Sequence, residues 1–366
     1  MKRKDAIFWL MYFTASLRRS QQKTIANIVC SAVYADRISI ARIGRKLALH
    51  TGIATKHAIK RVDRYLSNHR VEPSEAMAGT IRWLSLRSKR LLVSLDWVDI
   101  RSFHCLVLAA WCKGRAIPLL WQVVRWEDLH RSTNNIEYGL LRLLRTHISP
   151  KVQVTVLADR GFGRTEFAKV CQLLKYNYIV RIQPSVYIEH RTFKGRLRKL
   201  PIRQSRQISL HDVTYRKKNP VKQHVAVYWY SKSVEPWYLM TDLPKLKAKQ
   251  LSRFYARRMT IEEYFRDIKS RRTGWGLRMT QVKSANRLSR LLLLLALAYL
   301  LMAAIGRYVQ QHYPPRSYCS NNRAGECSYF YLACWILQSG QPPPITLALK
   351  QFRQKLTQKI AKENWG

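Results

Sequence analysis

Acidic residues are scarce in this chain. Its 366 residues include 21 Asp and Glu against 66 Lys and Arg, a formal net charge of +45. That excess is far beyond what solubility requires and points to a polyanionic partner. Nucleic acid fits best, because each phosphate neutralised by Lys or Arg releases condensed counterions without any sequence readout. An acidic membrane surface is the rival. Membrane-targeting charge usually gathers in one short polybasic run, whereas these cations are spread along the whole chain among 11 Trp, 19 Tyr and 10 Phe.

Other absences narrow the field further. The seven Cys include no CxxC pair, the closest being Cys105 to Cys112 and Cys327 to Cys334. That argues against structural zinc and reads as buried thiols in a reducing cytosol. No GxxxxGK[ST] occurs, so ATP-driven steps are not indicated. The longest apolar run, "LLLLLALAYLLMAAIG" at 291–306, is shorter than the ~20 residues that span a bilayer, so a core helix is expected. The start, "MKRKDAIFWLMYFTASLRRS", sets basic residues before an apolar run. Arg18 and Arg19 close that run with no clean cleavage site, so a first amphipathic helix is expected. The expected location is cytoplasmic, nucleoid-associated when bound to DNA, with no membrane partner.

With 47% hydrophobic residues, the chain can bury cores in two or three domains. From 39 to 68, "SIARIGRKLALHTGIATKHAIKRVDRYLSN" reads as helix, turn at Thr51 and Gly52, then helix. The second helix offers Lys56, His57, Lys60, Arg61 and Arg64 to phosphates and base edges, as in a helix-turn-helix. A plain helical domain with a solvated basic face is the alternative.

Three β-rich runs follow as a meander: "KRLLVSLDWVDI", "FHCLVLAAWCKG" and "RAIPLLWQVVRW", with turns at Arg101-Ser102 and Lys113-Gly114. A helix at "IEYGLLRLLRTHI", a strand in "KVQVTVLADRGFG", a helix at "TEFAKVCQLLKY" and a strand at "NYIVRIQ" complete the order β-β-β-α-β-α-β. That is the order of a ribonuclease-H-like α/β fold. The alternating segment 184–244 then reads as an inserted β-subdomain, after which helices resume. The expected division is 1–85, an N-terminal helical DNA-binding domain; 86–182 and 245–310, the two parts of the ribonuclease-H-like core; 183–244, the β-subdomain; and 311–366, a C-terminal helical region.

Chemistry concentrates in "YARRMTIEEYFRDIKS", 255–270. On one helix at about 100° per residue, Tyr255, Arg258, Glu262 and Lys269 share a sector of about 60°. Taken alone, this is a salt-bridged surface worth a few tenths of a kcal/mol. Two strand carboxylates change the balance, Asp96 inside the first strand and Asp159 at the end of the fourth. An acid amid "LLVSLDW" is costly to bury unpaired, and coordination of Mg²⁺ relieves that cost. Two such ions about 4 Å apart could activate a water or a 3′-hydroxyl for in-line attack at phosphorus. Asp99 competes with Asp96 but falls on the opposite strand face, nearer the strand end.

These residues resemble the DDE transposases of the insertion-sequence-4 family, in the branch that includes the transposase of transposon ten. The family signature Y-x2-R-x3-E-x6-K is matched by Tyr255, Arg258, Glu262 and Lys269, while "DWVD" and "ADRGF" resemble its two Asp blocks. "TKHAIKRVDRYLSN" is similar to its N-terminal domain, so the likeness covers essentially the whole chain. The resemblance implies an acid triad of Asp96, Asp159 and Glu262 holding two Mg²⁺ ions, for which Mn²⁺ can substitute. It implies contacts of Tyr255, Arg258 and Lys269 with transposon-end phosphates, joined by Arg266 one turn after Glu262. Glu263 reads as a structural residue. "EPWYLMT" resembles the family's last insertion strand, which implies that Trp237 stacks on a flipped base during hairpin formation. The partners so implied are terminal inverted repeats and target DNA, met by a homodimer in the synaptic complex. The alternatives are a ribonuclease-H-like nuclease without strand transfer, or a non-catalytic DNA-binding derivative.

Overall fold

The computed structural model describes residues 2–86, 88–112, 114–129, 133–217, 219–320 and 326–361, with 355–361 as backbone alone. Lys113 of the second expected turn and residues 362–366 of the C-terminal segment lie outside them.

The first 85 residues form α1 (Arg3–Phe13), α2 (Arg19–Val33), α3 (Ile40–Thr51), α4 (Thr55–Ser67) and α5 (Pro73–Ser85). Ser39 caps α3, its Oγ accepting from the Arg42 amide at 3.1 Å. Gly52 ends the helix at φ 74, a left-handed position that costs other residues about 1–2 kcal/mol. Gly44 lets α4 cross closely, because a Cβ there would stand 2.6 Å from the Ile59 Cα. The pair is thus a tight helix-turn-helix. It does not stand apart from the rest, since one continuous apolar cluster runs from Ala6 in α1 to Phe352 near the C-terminus.

The sheet begins with β1 (Arg90–Ile100), β2 (Phe103–Trp111) and β3 (Ala116–Arg125). Next come α6 (Thr133–His147), β4 (Gln153–Ala158), α7 (Thr165–Leu173) and β5 (Asn177–Arg181). Strands β1 to β3 are antiparallel neighbours, and β4 pairs in parallel with both β1 and β5. Leu91 to Leu95 of β1 are all buried, the continuous burial of a strand covered on both faces. The β1–β2 turn carries Arg101 at φ 57, a strained position for an arginine.

Segment 184–244 forms β6 (Tyr187–His190), β7 (Phe193–Arg196), β8 (Gln207–Tyr215), β9 (Val221–Tyr228) and β10 (Trp237–Thr241). It extends the same sheet, because β10 pairs with β5 and gives one ten-stranded order, β3-β2-β1-β4-β5-β10-β9-β8-β6-β7. The chain is a mixed α/β protein with a large sheet, consistent with a ribonuclease-H-like fold.

Helices close the chain: α8 (Ala248–Ala256), α9 (Met259–Lys269), α10 (Ala285–His312), α11 (Tyr329–Gln338) and α12 (Ile345–Ala361). At 28 residues, α10 outruns the apolar stretch read from the sequence and is long and apolar enough to cross a membrane. Within this fold, 94% of its most apolar window is buried by protein. The cations that bound the run are buried too: Arg290 donates to the carbonyls of Leu66 at 2.9 Å and Val71 at 3.3 Å, and Arg307 to the Tyr329 hydroxyl at 3.2 Å. The thiols divide, with Cys30, Cys105, Cys112 and Cys171 buried while Cys319, Cys327 and Cys334 are only partly so.

Candidate active site

The β1–β4 ladder aligns two of the acids. Its register pairs Leu95 with Ala158, so Asp96 and Asp159 come next on adjacent parallel strands. Asp159 directly follows β4, and its Oδ1 accepts from the Gly161 amide at 2.9 Å, fixing the carboxylate at the mouth of the "RGF" turn. Asp96 is half-buried and takes the Trp97 amide at 2.9 Å. Burial pushes its carboxyl up to about 6, with Arg258 opposing and the charges of Asp159 and Glu262 adding. Both other acids therefore act on Asp96 through the field at the site.

Glu262 comes from α9, in its first turn. The single helix expected over 255–269 is instead two helices, because at Arg257 and Arg258 the backbone amides bond three residues back, to Phe254 at 3.1 Å and Tyr255 at 2.8 Å. No proline or glycine forces the break. Packing does: Leu251, Phe254 and Tyr255 of α8 bury in a small cluster under β4, β5, β9 and β10, while Ile261, Tyr264, Phe265 and Ile268 of α9 bury in the main core. Each helix aims its apolar stripe at a different cluster, and the tightened turn between them reconciles the two.

That turn presents Arg258, which is 8% exposed. Its guanidinium spans the site, donating to Asp96 Oδ2 at 3.0 Å and to Glu262 Oε1 at 2.5 Å. Burial works against its charge, but Tyr255, Asp96 and Glu262 outweigh that and leave it more firmly protonated. Tyr255 is 2% exposed, its ring edge-on to Trp237 at 5.2 Å and 5.8 Å from the Arg258 guanidinium. Its ring faces the core rather than solvent, so it supports Arg258 and Trp237 from beneath. Trp237 is half-buried at the start of β10, with the Arg181 guanidinium 5.6 Å from its ring.

At the far end of α9, Lys269 is half-buried and Arg266 exposed. Burial first, and then Arg278, lower the Lys269 pKa, with Asp99 and Asp96 acting in the other direction. The cleft there is lined by Arg266, Lys269, Arg271, Arg272 and Arg278, cations placed where the helix dipole favours them. Glu263 turns away to ion-pair with Arg115, which pins α9 to the β2–β3 turn. Lys56, His57, Lys60, Arg61 and Arg64 all stand exposed on α4.

A fourth acid escaped sequence reasoning. Glu137 on α6 is 2% exposed; its Oε1 accepts from Trp97 Nε1 at 3.0 Å and its Oε2 pairs with Arg164, which also donates to the Gly161 carbonyl at 2.9 Å. One carboxylate thus clamps the strand of Asp96 to the loop of Asp159. Arg160 and Arg181 were missed as well; both pair with Glu235, Arg181 at 2.6 Å, and so tie segment 184–244 to the Asp159 turn. Arg160 and Arg164 were visible beside Asp159, but nothing local marks Glu137.

The donor set of Asp96, Asp159 and Glu262 is all carboxylate oxygen, which suits a hard divalent cation. Among the described residues no group of three such side chains converges closely enough to hold a metal ion. Between Asp96 and Glu262 stands the Arg258 guanidinium, bonded to both.

A family model described as transposase DDE domain matches residues 93–301, from the strand of Asp96 past the helix of Glu262 and into α10. No curated protein matches the chain. The match spans more than half of the sequence and takes in both acid-bearing strands and the Arg258 turn: the chain belongs to the transposase DDE domain family.

Proposed function

We propose that this transposase cleaves DNA at the terminal inverted repeats of its element and joins the freed 3′ ends to target DNA, by cut-and-paste through a hairpin. The observation that carries the reading is the side-by-side placement of Asp96 and Asp159 with Arg258 joining Asp96 to Glu262. In this reading those three acids hold Mg²⁺ or Mn²⁺, which when bound activates the attacking oxygen and stabilises the leaving one.

The chain's own residues do the rest. Arg258 offers a planar fork of donors that suits two oxygens of one phosphate as well as it suits carboxylates. Lys269, Arg266 and their cationic neighbours hold the strand beyond it. Glu137 keeps the two aspartates in register. Trp237 provides a ring for a base displaced as the hairpin bends, and two copies of the chain bring the two ends together as a homodimer.

The test supplies purified protein with pre-cleaved element ends, a supercoiled target and Mg²⁺. Joined product is the expected outcome. Nicking without joining leaves a nuclease, and binding without either leaves a DNA-binding derivative.

A further inference from the structure

An aromatic ladder starts at the residue after Asp96 and leads away from the acids. Trp97 stacks on His104 with ring centres 4.4 Å apart and planes 4° from parallel, and His104 faces Trp126 at 4.3 Å and 30°. Both inner rings are anchored, Trp97 by Glu137 at 3.0 Å and His104 by Asp99, 2.5 Å from its Nδ1. The outer ring is not enclosed: Trp126 is 51% exposed.

Trp126 stands in a cleft of about 420 Å³ shared with Arg101, Arg125, Gln281 and Lys283. Arg125 is paired with the cleft's one acid, Glu127, at 2.9 Å. Arg101 and Arg125 also fasten the 280–283 segment, donating to the carbonyls of Thr280 and Lys283, so the cleft has a fixed wall. Arg101 is the arginine held at φ 57, a strained backbone at the edge of a charged cleft.

We propose that Trp126 is the outer step of a platform for an unpaired base of DNA, with Arg101, Arg125 and Lys283 meeting the phosphates beside it. A single-stranded nucleotide asks for this combination of an open aromatic face and flanking cations. An apolar peptide does not, because the cleft carries three cations to one acid. The sheet order sets this platform apart from Trp237: β3, which Trp126 follows, lies at one edge, and the acid-bearing β1 and β4 separate it from β10. Asp96 and Trp97 are consecutive on β1, so the ladder lies on the sheet face opposite Asp96, and the base that reaches Trp126 is not the one held at Trp237. The proposal rests on the DNA-acting reading above.

The experiment compares two duplexes, one carrying a single unpaired fluorescent purine analogue and the other fully paired. The wild type should bind the first about tenfold tighter and quench its fluorescence, within the range that base–aromatic stacking supplies. Trp126→Ala should erase the preference and the quenching while binding the paired duplex as the wild type does, and Trp126→Phe should retain most of both. Should Trp126→Ala fail to fold, Trp126→Phe and a Lys283→Ala variant with weakened binding of both duplexes still decide the matter. Retention of the preference in Trp126→Ala, or its loss in Trp237→Ala alone, overturns the platform. Equal binding of both duplexes by the wild type also overturns it; binding of neither overturns the DNA reading itself.

Discussion

The acid centre and the exposed face of α4 handle charge in opposite ways. At the centre, Asp96 is half-buried, Arg258 is 8% exposed and Glu137 is 2% exposed, and each is held by a named partner. On α4, Lys56, Arg61 and Arg64 stand in solvent with no ion pair among the described residues. The one acid of that helix, Asp63, is partly exposed and is shared by Arg287 of α10 at 2.7 Å and Lys60 at 3.5 Å. Charge that must be positioned is desolvated and paired; charge that must only attract is left hydrated. The two regions should therefore fail differently when broken.

The largest effect belongs to the triad. Asp96→Asn, Asp159→Asn and Glu262→Gln should each abolish strand cleavage while leaving affinity for element ends intact, since affinity rests on phosphate contacts elsewhere. Gel-shift and cleavage assays on the same DNA separate the two quantities. Full cleavage by any one of them in Mg²⁺ would remove that residue from the triad.

Arg258→Ala comes next, with cleavage by a preassembled complex expected to fall by ~10²–10³, the usual cost of one donor aimed at developing charge. Arg258→Lys should recover little, because one ammonium cannot serve Asp96 and Glu262 as a fork does. A lysine variant at the wild-type rate would mean that only the charge counts. Glu137→Ala should cost about 10–100-fold, the typical range for a group that orients metal ligands. Weaker Mn²⁺ binding in a titration without DNA would tie that loss to the acids, whereas unchanged Mn²⁺ affinity would make Glu137 an ordinary buried anchor.

The same contrast explains what could be read from the sequence. Strands β1 to β5 were legible because a covered strand needs an unbroken apolar run, and the two aspartates stood out as the exceptions within or just after such runs. The 255–269 spacing brought out Arg258 and Glu262 but not the break between α8 and α9. Helical period is a local property, and the break answers to two core clusters whose other members lie on distant strands. Glu137 was illegible for the same reason. It sits in "NNIEYGLL", an unexceptional helix start, and its partners Trp97 and Arg164 are 40 and 27 residues away. The length of α10 was underread because Arg290 and Arg307 looked like flanking charges, yet each is buried on partners supplied by other helices.

The smallest effect on chemistry, and the clearest on affinity, should come from α4. Replacing Lys56, Arg61 and Arg64 together with Ala removes three exposed cations and no ion pair with an acid among the described residues, so the fold has little reason to respond. Each phosphate left without its cation should lower the slope of log affinity against log salt by about 0.9 on duplex DNA. If all three cations meet phosphates, the slope falls by about 2.7, and binding weakens most at low salt, where counterion release contributes most. Cleavage within complexes already assembled should continue at the wild-type rate, because no α4 side chain enters the acid centre. A slope that does not change would return α4 to a solvated surface and move the source of affinity to the cations around Lys269. A slope that changes together with the cleavage rate would show that α4 also positions the scissile strand, and the division between positioned and attracting charge would then fail on this helix.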